Sequence, residues 1–248
     1  MNKTIWMYWE NRKGDPRPAY LDLCLETIRR HSPSYDIVLL NERTVRDRLP
    51  GLREDIFRTH EIAHRADYIR AHIVYEYGGV WLDSDIVLLK QIHVEEALAT
   101  YDFAGCGIEY GKPSIWFFAA NKGAPVLGKW IEGMDDVLDR KKRNPLSIFR
   151  SYRFKWAELG YDILWRLFEA SDYYHYDFKR FAPIRWDAWK EFFRKDIEPG
   201  EIVDDETIAV MLYNKFMFEP LRNVTREEAL ASGTLLGKLF RLSLRDEK

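Results

Sequence analysis

The stretch that decides the fold is YEYGGVWLDSDIVLL, residues 75–89, in which two glycines precede an apolar run that carries two aspartates. Gly78 and Gly79 are expected to end a helix and turn the chain, because glycine takes left-handed conformations without a Cβ clash. The run that follows is typical of a buried strand, with Asp83 and Asp85 late in it. A carboxylate in such a strand needs a partner, since burying a lone charge is costly.

The flanking segments predict a parallel α/β sheet. A β-branched and aromatic strand is expected at 4–9, a helix at 19–33 and a short buried strand at 35–41. A second helix is predicted from about Ile56 to Tyr77, where apolar residues recur at steps of three and four. Strand, helix and strand in this order indicate an open sheet, and the carboxyl ends of its strands are where ligands bind.

The second half of the chain is less regular. Strands are predicted at 102–110 and 114–121, and helices at 125–139 and 152–170. The segment 173–189 is dense in aromatic residues and arginines, which suits a surface cleft as well as a core.

Composition places the chain among globular proteins. It has 248 residues, 46% hydrophobic and 31% charged, with two cysteines and no apolar stretch long enough for a membrane span. The amino terminus lacks the pattern of a secretory signal, so a soluble, cytoplasmic protein is expected. Residues 140–195 hold fourteen Lys and Arg against seven Asp and Glu, which favours an anionic substrate or surface. No nucleic-acid recognition motif occurs, so no nucleic acid is expected as a partner.

The aspartate pair predicts a divalent metal. On one strand, Asp83 and Asp85 would face the same side with roughly 7 Å between their α-carbons. Two like charges so placed repel, and a shared Mg²⁺ or Mn²⁺ that also holds a diphosphate would relieve the repulsion. Two alternatives stay open. One is that the acids are solvated at a sheet edge or that one of them caps the next turn; the other is a haloacid dehalogenase-type phosphatase, whose motif matches VWLDSDIV at 80–87.

The helix before the strand adds Asp67 and Arg70, which share a face because they are three residues apart. Together they offer an acceptor for a sugar hydroxyl and a cation for an oxygen. The competing interpretation is an ordinary ion pair on the helix surface.

These residues together resemble the glycosyltransferases with a DXD sugar-binding region, which include family 32 enzymes and share a core with the clostridial glucosylating toxins. The resemblance rests on ADYIR at 66–70 and YGGVWLDSD at 77–85, and IWMYWE at 5–10 is similar to the family's opening strand. Weaker matches are SIWFFAANKGAPVLGKW, FAPIRW and TIAVMLYNK. Where the last segment of the family carries a histidine of the metal or diphosphate site, this chain has Met211.

The resemblance implies an α/β fold of the GT-A type, with a mainly parallel central sheet flanked by helices and a helical, aromatic carboxyl-terminal elaboration. It implies a single domain over 1–248, with a nucleotide-sugar-binding core at 1–125 and an acceptor side at 126–248. The implied catalytic residues are Asp67, Arg70, Asp83 and Asp85. The implied substrate-binding residues are Tyr8, Trp9, Asp67, Arg70, Gly79, Trp81 and Asp83, with Trp9 stacking on the nucleotide base. The implied metal ligands are Asp83, Asp85 and Asn214; the acids at 204–206 are a further source of oxygen ligands, although such a cluster is more often a solvated helix start.

The function implied is a metal-dependent retaining glycosyltransferase that uses Mn²⁺ or Mg²⁺ and moves a sugar from a nucleotide-sugar, with UDP-sugars as the expected donors. The acceptor would be a saccharide or lipid-linked saccharide, in bacterial capsule, O-antigen or other surface polysaccharide synthesis. The final segment, 234–248, is either a membrane-surface helix at the inner face or a helix docked on its own domain. The alternatives are a non-catalytic nucleotide-sugar or glycan-binding protein and the phosphatase named above.

Overall fold

The computed structural model describes residues 2–11, 15–107, 112–143, 152–168 and 173–245. The strands are β1 (Thr4–Tyr8), β2 (Asp36–Leu40), β3 (Gly79–Leu82), β4 (Ile86–Leu88), β5 (Phe103–Gly107), β6 (Pro113–Ala120), β7 (Tyr174–Asp177) and β8 (Ala209–Met211). The helices are α1 (Ala19–His31), α2 (Glu42–Arg48), α3 (Ile62–Tyr77), α4 (Glu95–Thr100), α5 (Pro125–Lys142), α6 (Tyr161–Leu167), α7 (Asn214–Leu221), α8 (Arg226–Ala231) and α9 (Leu235–Leu244).

The central sheet has six strands in the order β2-β1-β3-β6-β5-β7. β1 and β3 are parallel neighbours, and β6 is antiparallel to both β3 and β5. β1, β3 and β5 therefore run in the same direction, and β6 runs against them. This confirms the predicted α/β class with a mainly parallel sheet. It also confirms the strands predicted at 4–9 and 35–41, and the two at 102–110 and 114–121 as far as residues are described, whereas the strand predicted after Gly79 is divided into β3 and β4.

The chain forms two compact units, each built from three separate segments. The first unit contains Met1–Glu10, Val38–Leu82 and Val94–Tyr176. Its core lies between β3, β6 and the helices α3 and α5, where Trp81 and Trp130 are fully buried. The indole N–H of Trp130 is satisfied by the carbonyl of Leu159 at 2.8 Å. Burial of such large side chains is the main source of stability for the unit.

The second unit contains Asn11–Ile37, Asp83–His93 and Asp177–Lys248. In it β4 pairs antiparallel with β8, and α1 packs against β4 and α9. β4 is held by side chains as well: Leu88 donates its N–H to Thr27 Oγ1, and its carbonyl accepts from Ser243 Oγ. Both units use residues from both sides of position 125.

Two helix predictions need correction. The helix expected from Ile56 begins at Ile62, after a separate 3-10 turn at Glu54–Arg58. The backbone between them is used elsewhere, because His60 N–H and Arg58 C=O bond to the backbone of Tyr152 and so cannot continue a helix. In the segment 152–170 only α6 is helical, and residues 169 and 170 lie outside the described part of the chain.

The last helix docks on its own unit. Its residues Leu235, Leu236, Leu239 and Phe240 are buried, and it packs against α1, α8 and β4. Of the two readings of this segment, the docked helix is therefore correct for the described residues. None of the helices in the described ranges has both the length and the apolar composition that crossing a bilayer requires.

Candidate functional site

The predicted site residues divide between the two units. Six of them, Tyr8, Trp9, Asp67, Arg70, Gly79 and Trp81, belong to the first unit, and three, Asp83, Asp85 and Asn214, belong to the second. Within the first unit the structure brings Asp67, Arg70 and Trp81 together. Within the second it brings Asp85 and Asn214 together.

Asp67 and Arg70 form a buried pair on α3. Their residues are 5% and 4% exposed, and Arg70 Nη2 lies 3.4 Å from Asp67 Oδ1. The interpretation as a surface ion pair is therefore wrong. Arg70 also donates from Nη1 to the carbonyl of Ile115 at 2.6 Å and from Nε to the carbonyl of Ala66 at 3.2 Å. These bonds fix the guanidinium in one orientation, which is what a positioning cation requires.

Trp81 and Gly160 enclose this pair. Arg70 Cζ lies 5.1 Å from the centroid of the Trp81 ring, a cation–π contact in the core. Trp81 is fully buried, so in this structure its side chain supports Arg70. On the other side, a Cβ added to Gly160 would lie 3.4 Å from Asp67 Oδ2. The same Cβ would lie 2.8 Å from Ile115 Cδ1, so a side chain at position 160 would displace Ile115, whereas its distance to Asp67 is an ordinary contact.

Gly78 and Gly79 end α3 and begin β3 with positive φ angles of 68° and 106°. A Cβ on Gly79 would lie 2.6 Å from the carbonyl oxygen of Thr4 on β1. Trp6 donates its indole N–H to the carbonyl of Gly78 at 2.9 Å, which holds the turn against β1. Glycine is needed at 79 for both the backbone conformation and the close approach.

Tyr8 and Trp9 lie at the end of β1. Tyr8 is buried and donates its hydroxyl to Glu10 Oε1, and Arg65 pairs with Glu10 at 3.0 Å. Burial and the Glu10 charge raise the pKa of Tyr8, so its hydroxyl remains a hydrogen-bond donor at neutral pH. Trp9 is partly exposed, and its backbone N–H bonds to the carbonyl of Leu40 at 3.0 Å.

The two aspartates are not on one strand. β3 ends at Leu82, residues 83–85 form a turn, and β4 begins at Ile86 in a different sheet. The expectation that Asp83 and Asp85 face the same side of a continuous strand is therefore wrong. The reason is local chemistry: Asp and Ser side chains bond to nearby backbone groups and favour turns over strand interiors.

Asp85 has a partner within the second unit. It is 5% exposed, and its Oδ2 accepts the backbone N–H of Asn214 at 2.5 Å. Its own carbonyl accepts the N–H of Leu212 at 3.0 Å. Asn214 is the first residue of α7, so the carboxylate lies at a helix N-terminus, where the helix dipole favours a negative charge.

Two tyrosines that the sequence did not single out complete this cluster. Tyr20 donates its hydroxyl to Asn214 Oδ1. Tyr213, with φ of 60°, is the non-glycine residue in the described chain that adopts a left-handed conformation, and it donates to the carbonyl of Ile184 at 3.0 Å. Burial and the nearby Asp85 charge raise the pKa of both hydroxyls. A tyrosine on a distant helix gives no motif signal, but the unusual backbone at 213 follows from the turn into α7.

The oxygen atoms of Asp83, Asp85 and Asn214 are hard donors of the kind that Mg²⁺ and Mn²⁺ prefer. Asp85 and Asn214 adjoin, and Asp83 is in the same turn as Asp85, so this donor set fits a metal in its chemistry. Among the described residues no group of three or more His, Cys, Asp and Glu side chains is arranged to hold a metal. Met211 is buried in β8 opposite Ile86, and the acids at 204–206 form an exposed turn in which Asp204 accepts from Thr207.

The architecture is that of a GT-A-type α/β protein with a mainly parallel central sheet flanked by helices. The chain belongs to the family described as capsular polysaccharide synthesis proteins, whose model matches residues 1–142. The glycosyltransferase GlyE of Streptococcus pneumoniae TIGR4 has a similar fold, with a TM-score of 0.53 and 13% identity; the match covers 99% of this chain and 61% of that one. The phosphatase interpretation rested on VWLDSDIV as one continuous strand, and the structure divides this stretch into β3 and β4.

Two curated relatives are similar in sequence. The O-glycosyltransferase braB of Annulohypoxylon truncatum is 23% identical, over 53% of this chain and 36% of its own length. The glycosyltransferase afumC of Aspergillus fumigatus is 25% identical, over 52% of this chain and 39% of its own length. The chain thus spans well under half of the curated relatives that it matches.

Proposed function

We propose that this protein is a metal-dependent retaining glycosyltransferase that moves a sugar from a UDP-sugar to a saccharide or lipid-linked saccharide during bacterial surface polysaccharide synthesis at the cytoplasmic side of the membrane. The observation that carries the proposal is the Asp85–Asn214 hydrogen bond. This bond joins the aspartate turn after β3 to the segment that leads into α7. Both segments are among those that resemble the glycosyltransferases with a DXD sugar-binding region.

Trp9, Asp67 and Arg70 are the residues proposed to contact the donor. Trp9 is partly exposed and offers an aromatic face on which a flat base would stack. Asp67 would accept a hydrogen bond from a sugar hydroxyl. Arg70 would present the rest of its guanidinium to oxygens whose negative charge grows as the glycosyl bond lengthens, and its fixed orientation means that no reorganisation is needed at that moment.

The proposed metal ligands are close together in the chain's fold or in its sequence. Asp83, Asp85 and Asn214 would hold Mn²⁺ or Mg²⁺, the hydrogen bond to Asn214 N–H orienting the Asp85 carboxylate and Tyr20 orienting the Asn214 amide. When bound, the cation supplies positive charge that stabilises a departing diphosphate. At the position of the family histidine this chain has Met211, whose thioether is a poor ligand for these metals. The ligand that the histidine would provide is therefore absent.

Retention of configuration requires either a nucleophile on the protein or deprotonation of the acceptor by the leaving group. Asp67 is paired with Arg70, and Asp85 is engaged at the N-terminus of α7, so both carboxylates have other tasks. We propose that the leaving phosphate itself takes the proton of the acceptor hydroxyl on the same face of the sugar. The chain's residues then serve to bind, orient and exclude water.

A panel of UDP-sugars with Mn²⁺, assayed for UDP release with and without chelator, tests this function. We expect chelator-sensitive release by the wild-type chain and by Asp136→Asn, a control that changes an exposed acid on α5. We expect its loss in Asp85→Asn. UDP release that is unchanged by chelator and by Asp85→Asn would overturn the metal assignment.

A second function is favoured by Met211. If the missing histidine abolishes turnover, the protein would be a nucleotide-sugar or glycan-binding protein. The same panel separates the two, because such a protein would bind UDP in calorimetry and release none from any UDP-sugar.

A further inference from the structure

Three aromatic rings of the second unit form a parallel row, which we call the aromatic face: Trp186, Phe216 and Trp189. The Trp186 and Phe216 rings are 6.4 Å apart between centroids with 17° between their planes, and the Phe216 and Trp189 rings are 5.6 Å apart at 13°. Trp186 is 55% exposed, and the other two are partly exposed. An exposed set of large parallel rings is uncommon on a protein surface and usually marks a binding site.

The aromatic face is rigidly supported from below. Trp186 and Trp189 are in the 3-10 segment Trp186–Phe193, whose Phe192 is fully buried and which packs against α9. The end of the segment is fixed by the N–H of Leu235, which bonds to the carbonyl of Arg194 at 2.7 Å. Since the rings are already ordered, a ligand that binds on them loses little further side-chain entropy.

The rim of the aromatic face is cationic. Lys190 Nζ lies 5.9 Å from the Trp189 ring and Lys215 Nζ lies 5.8 Å from the Phe216 ring. Within the described ranges, no carboxylate is in salt-bridge distance of either lysine. Arg185 and Asp187 pair with each other at 3.4 Å at the Trp186 end and offer further hydrogen-bonding groups.

This combination selects one class of ligand. The C–H face of a pyranose ring is apolar and carries slight positive charge, so it packs on the negative face of an aromatic ring. Hydroxyl groups at the ring edge then meet polar side chains at the rim. A carboxylate or phosphate on the sugar would complement Lys190 and Lys215.

A membrane surface fits less well. Interfacial aromatic residues insert as separate rings into the headgroup layer, whereas these three rings are held parallel in one row, of which Trp186 is the most exposed.

We propose that the aromatic face binds an anionic saccharide, which serves as the acceptor. The role of the saccharide as acceptor rests on the proposed transferase function, whereas the binding of the saccharide does not. Position supports it: Phe216 lies two residues after Asn214 on α7, so the helix that meets Asp85 also carries the central ring of the face. The inference narrows the predicted acceptor side to three rings and two lysines.

Calorimetry on the full chain tests the proposal with four probes: an oligogalacturonate, a phosphorylated oligosaccharide, a neutral galacto-oligosaccharide and phosphatidylcholine vesicles that contain phosphatidylglycerol. We expect the wild type to bind at least one of the two anionic oligosaccharides more tightly than the neutral one. Trp186→Ala should weaken that binding by at least about fivefold. Lys190→Ala with Lys215→Ala should remove the preference for the anionic probe. Trp156→Ala, which changes an exposed tryptophan of the first unit that is 69% exposed, is the matched control and should bind as the wild type does.

Unchanged unfolding midpoints for the variants exclude misfolding, since Trp186 and both lysines are at the surface. The proposal is overturned if the wild type binds neither anionic oligosaccharide, if Trp186→Ala and Trp156→Ala behave alike, or if only vesicle binding depends on Trp186. UDP release by the wild type from the panel of UDP-sugars, measured with water alone and with each oligosaccharide as the acceptor, tests the transferase separately. Saccharide binding without UDP release would therefore refute the transferase and leave the aromatic face as a glycan site.

Discussion

The carboxylate of Asp85 and the backbone N–H of Asn214 are joined by a hydrogen bond of 2.5 Å, although the two residues are 129 positions apart in the sequence. The contact explains how a buried carboxylate is tolerated in an apolar segment: it lies at the N-terminus of α7 and receives a donor there. A metal would be an additional partner of this carboxylate. Mutation of Asp85 can separate the effect of the hydrogen bond on stability from the effect of the metal on activity.

Asp85→Asn is expected to keep the fold and lose function. An asparagine oxygen can still accept the Asn214 N–H, so the free energy of unfolding should change by less than about 1 kcal/mol. The lost negative charge should lower UDP release by about 100-fold or more. Asp85→Ala should also be destabilised, by about 1–3 kcal/mol, because the Asn214 N–H is left without this acceptor. Urea unfolding and UDP release measure the two effects, and equal stability losses in both variants would contradict the account.

Gly79→Ala is expected to destabilise the first unit by more than about 2 kcal/mol. The methyl group would meet the Thr4 carbonyl at 2.6 Å, and φ of 106° is unfavourable for any residue with a Cβ. Gly51→Ala is the control, since its added Cβ has no neighbour within 4 Å and its φ is not in the left-handed region. Urea unfolding of both variants provides the test; a Gly79→Ala protein as stable as Gly51→Ala would show that the turn relaxes freely.

Arg70→Lys should be costly despite the conserved charge. A lysine cannot bond at once to the Ile115 carbonyl, the Ala66 carbonyl and Asp67, so buried acceptors lose their donors. We expect a stability loss of about 2–4 kcal/mol and strongly reduced UDP release. Lys122→Ala, which breaks an exposed pair with Glu76, should change the stability by less than about 1 kcal/mol. An Arg70→Lys protein as stable as the wild type would show that the hydrogen bonds of Arg70 contribute little to stability.

Acid should destabilise the first unit through His72. Burial lowers the pKa of His72 from 6.5 to about 4, against the opposing charge of Asp135, and its Nε2 makes no hydrogen bond in the described structure. Between pH 6.5 and 4 the unfolded chain binds a proton that the folded chain does not, so the free energy of unfolding falls as the pH falls. The total loss at low pH is on the order of 3 kcal/mol.

His72→Phe should remove this part of the pH dependence while keeping a ring against Tyr68, which lies 4.3 Å from His72 between ring centroids. His60→Asn changes an exposed histidine and should retain the wild-type slope. Urea unfolding at several pH values compares the three proteins. An identical slope in His72→Phe and wild type would assign the acid sensitivity to other groups.

Local patterns predicted much of the first unit. The glycine pair, the apolar periodicity of α3 and the β-branched strands are signals within a dozen residues, and the structure has these elements, although α3 begins only at Ile62 and β3 ends at Leu82. The burial of Asp67 and Arg70 was less accessible, because it depends on Ile115, Trp81 and Gly160, which are distant in sequence.

The break at the aspartates could not be read from hydrophobicity alone. The run from Val80 to Leu89 is strongly apolar on both sides of Asp83-Ser84-Asp85, yet β3 pairs with β1 and β6 while β4 pairs with β8. Only the turn preference of Asp-Ser-Asp pointed to a division. Tyr20 was also missed, since its bond to Asn214 spans 194 positions.

The pairing of β4 with β8 has a consequence for synthesis of the chain. Ile86 leaves the ribosome more than 120 residues before its partner Met211. At typical elongation rates of about 5–20 residues per second, the apolar β4 waits roughly 6–25 s for its neighbour. During that interval the unpaired, apolar edge of β4 is exposed. The yield of folded protein should therefore depend on chaperones that cover this edge until translation is nearly finished.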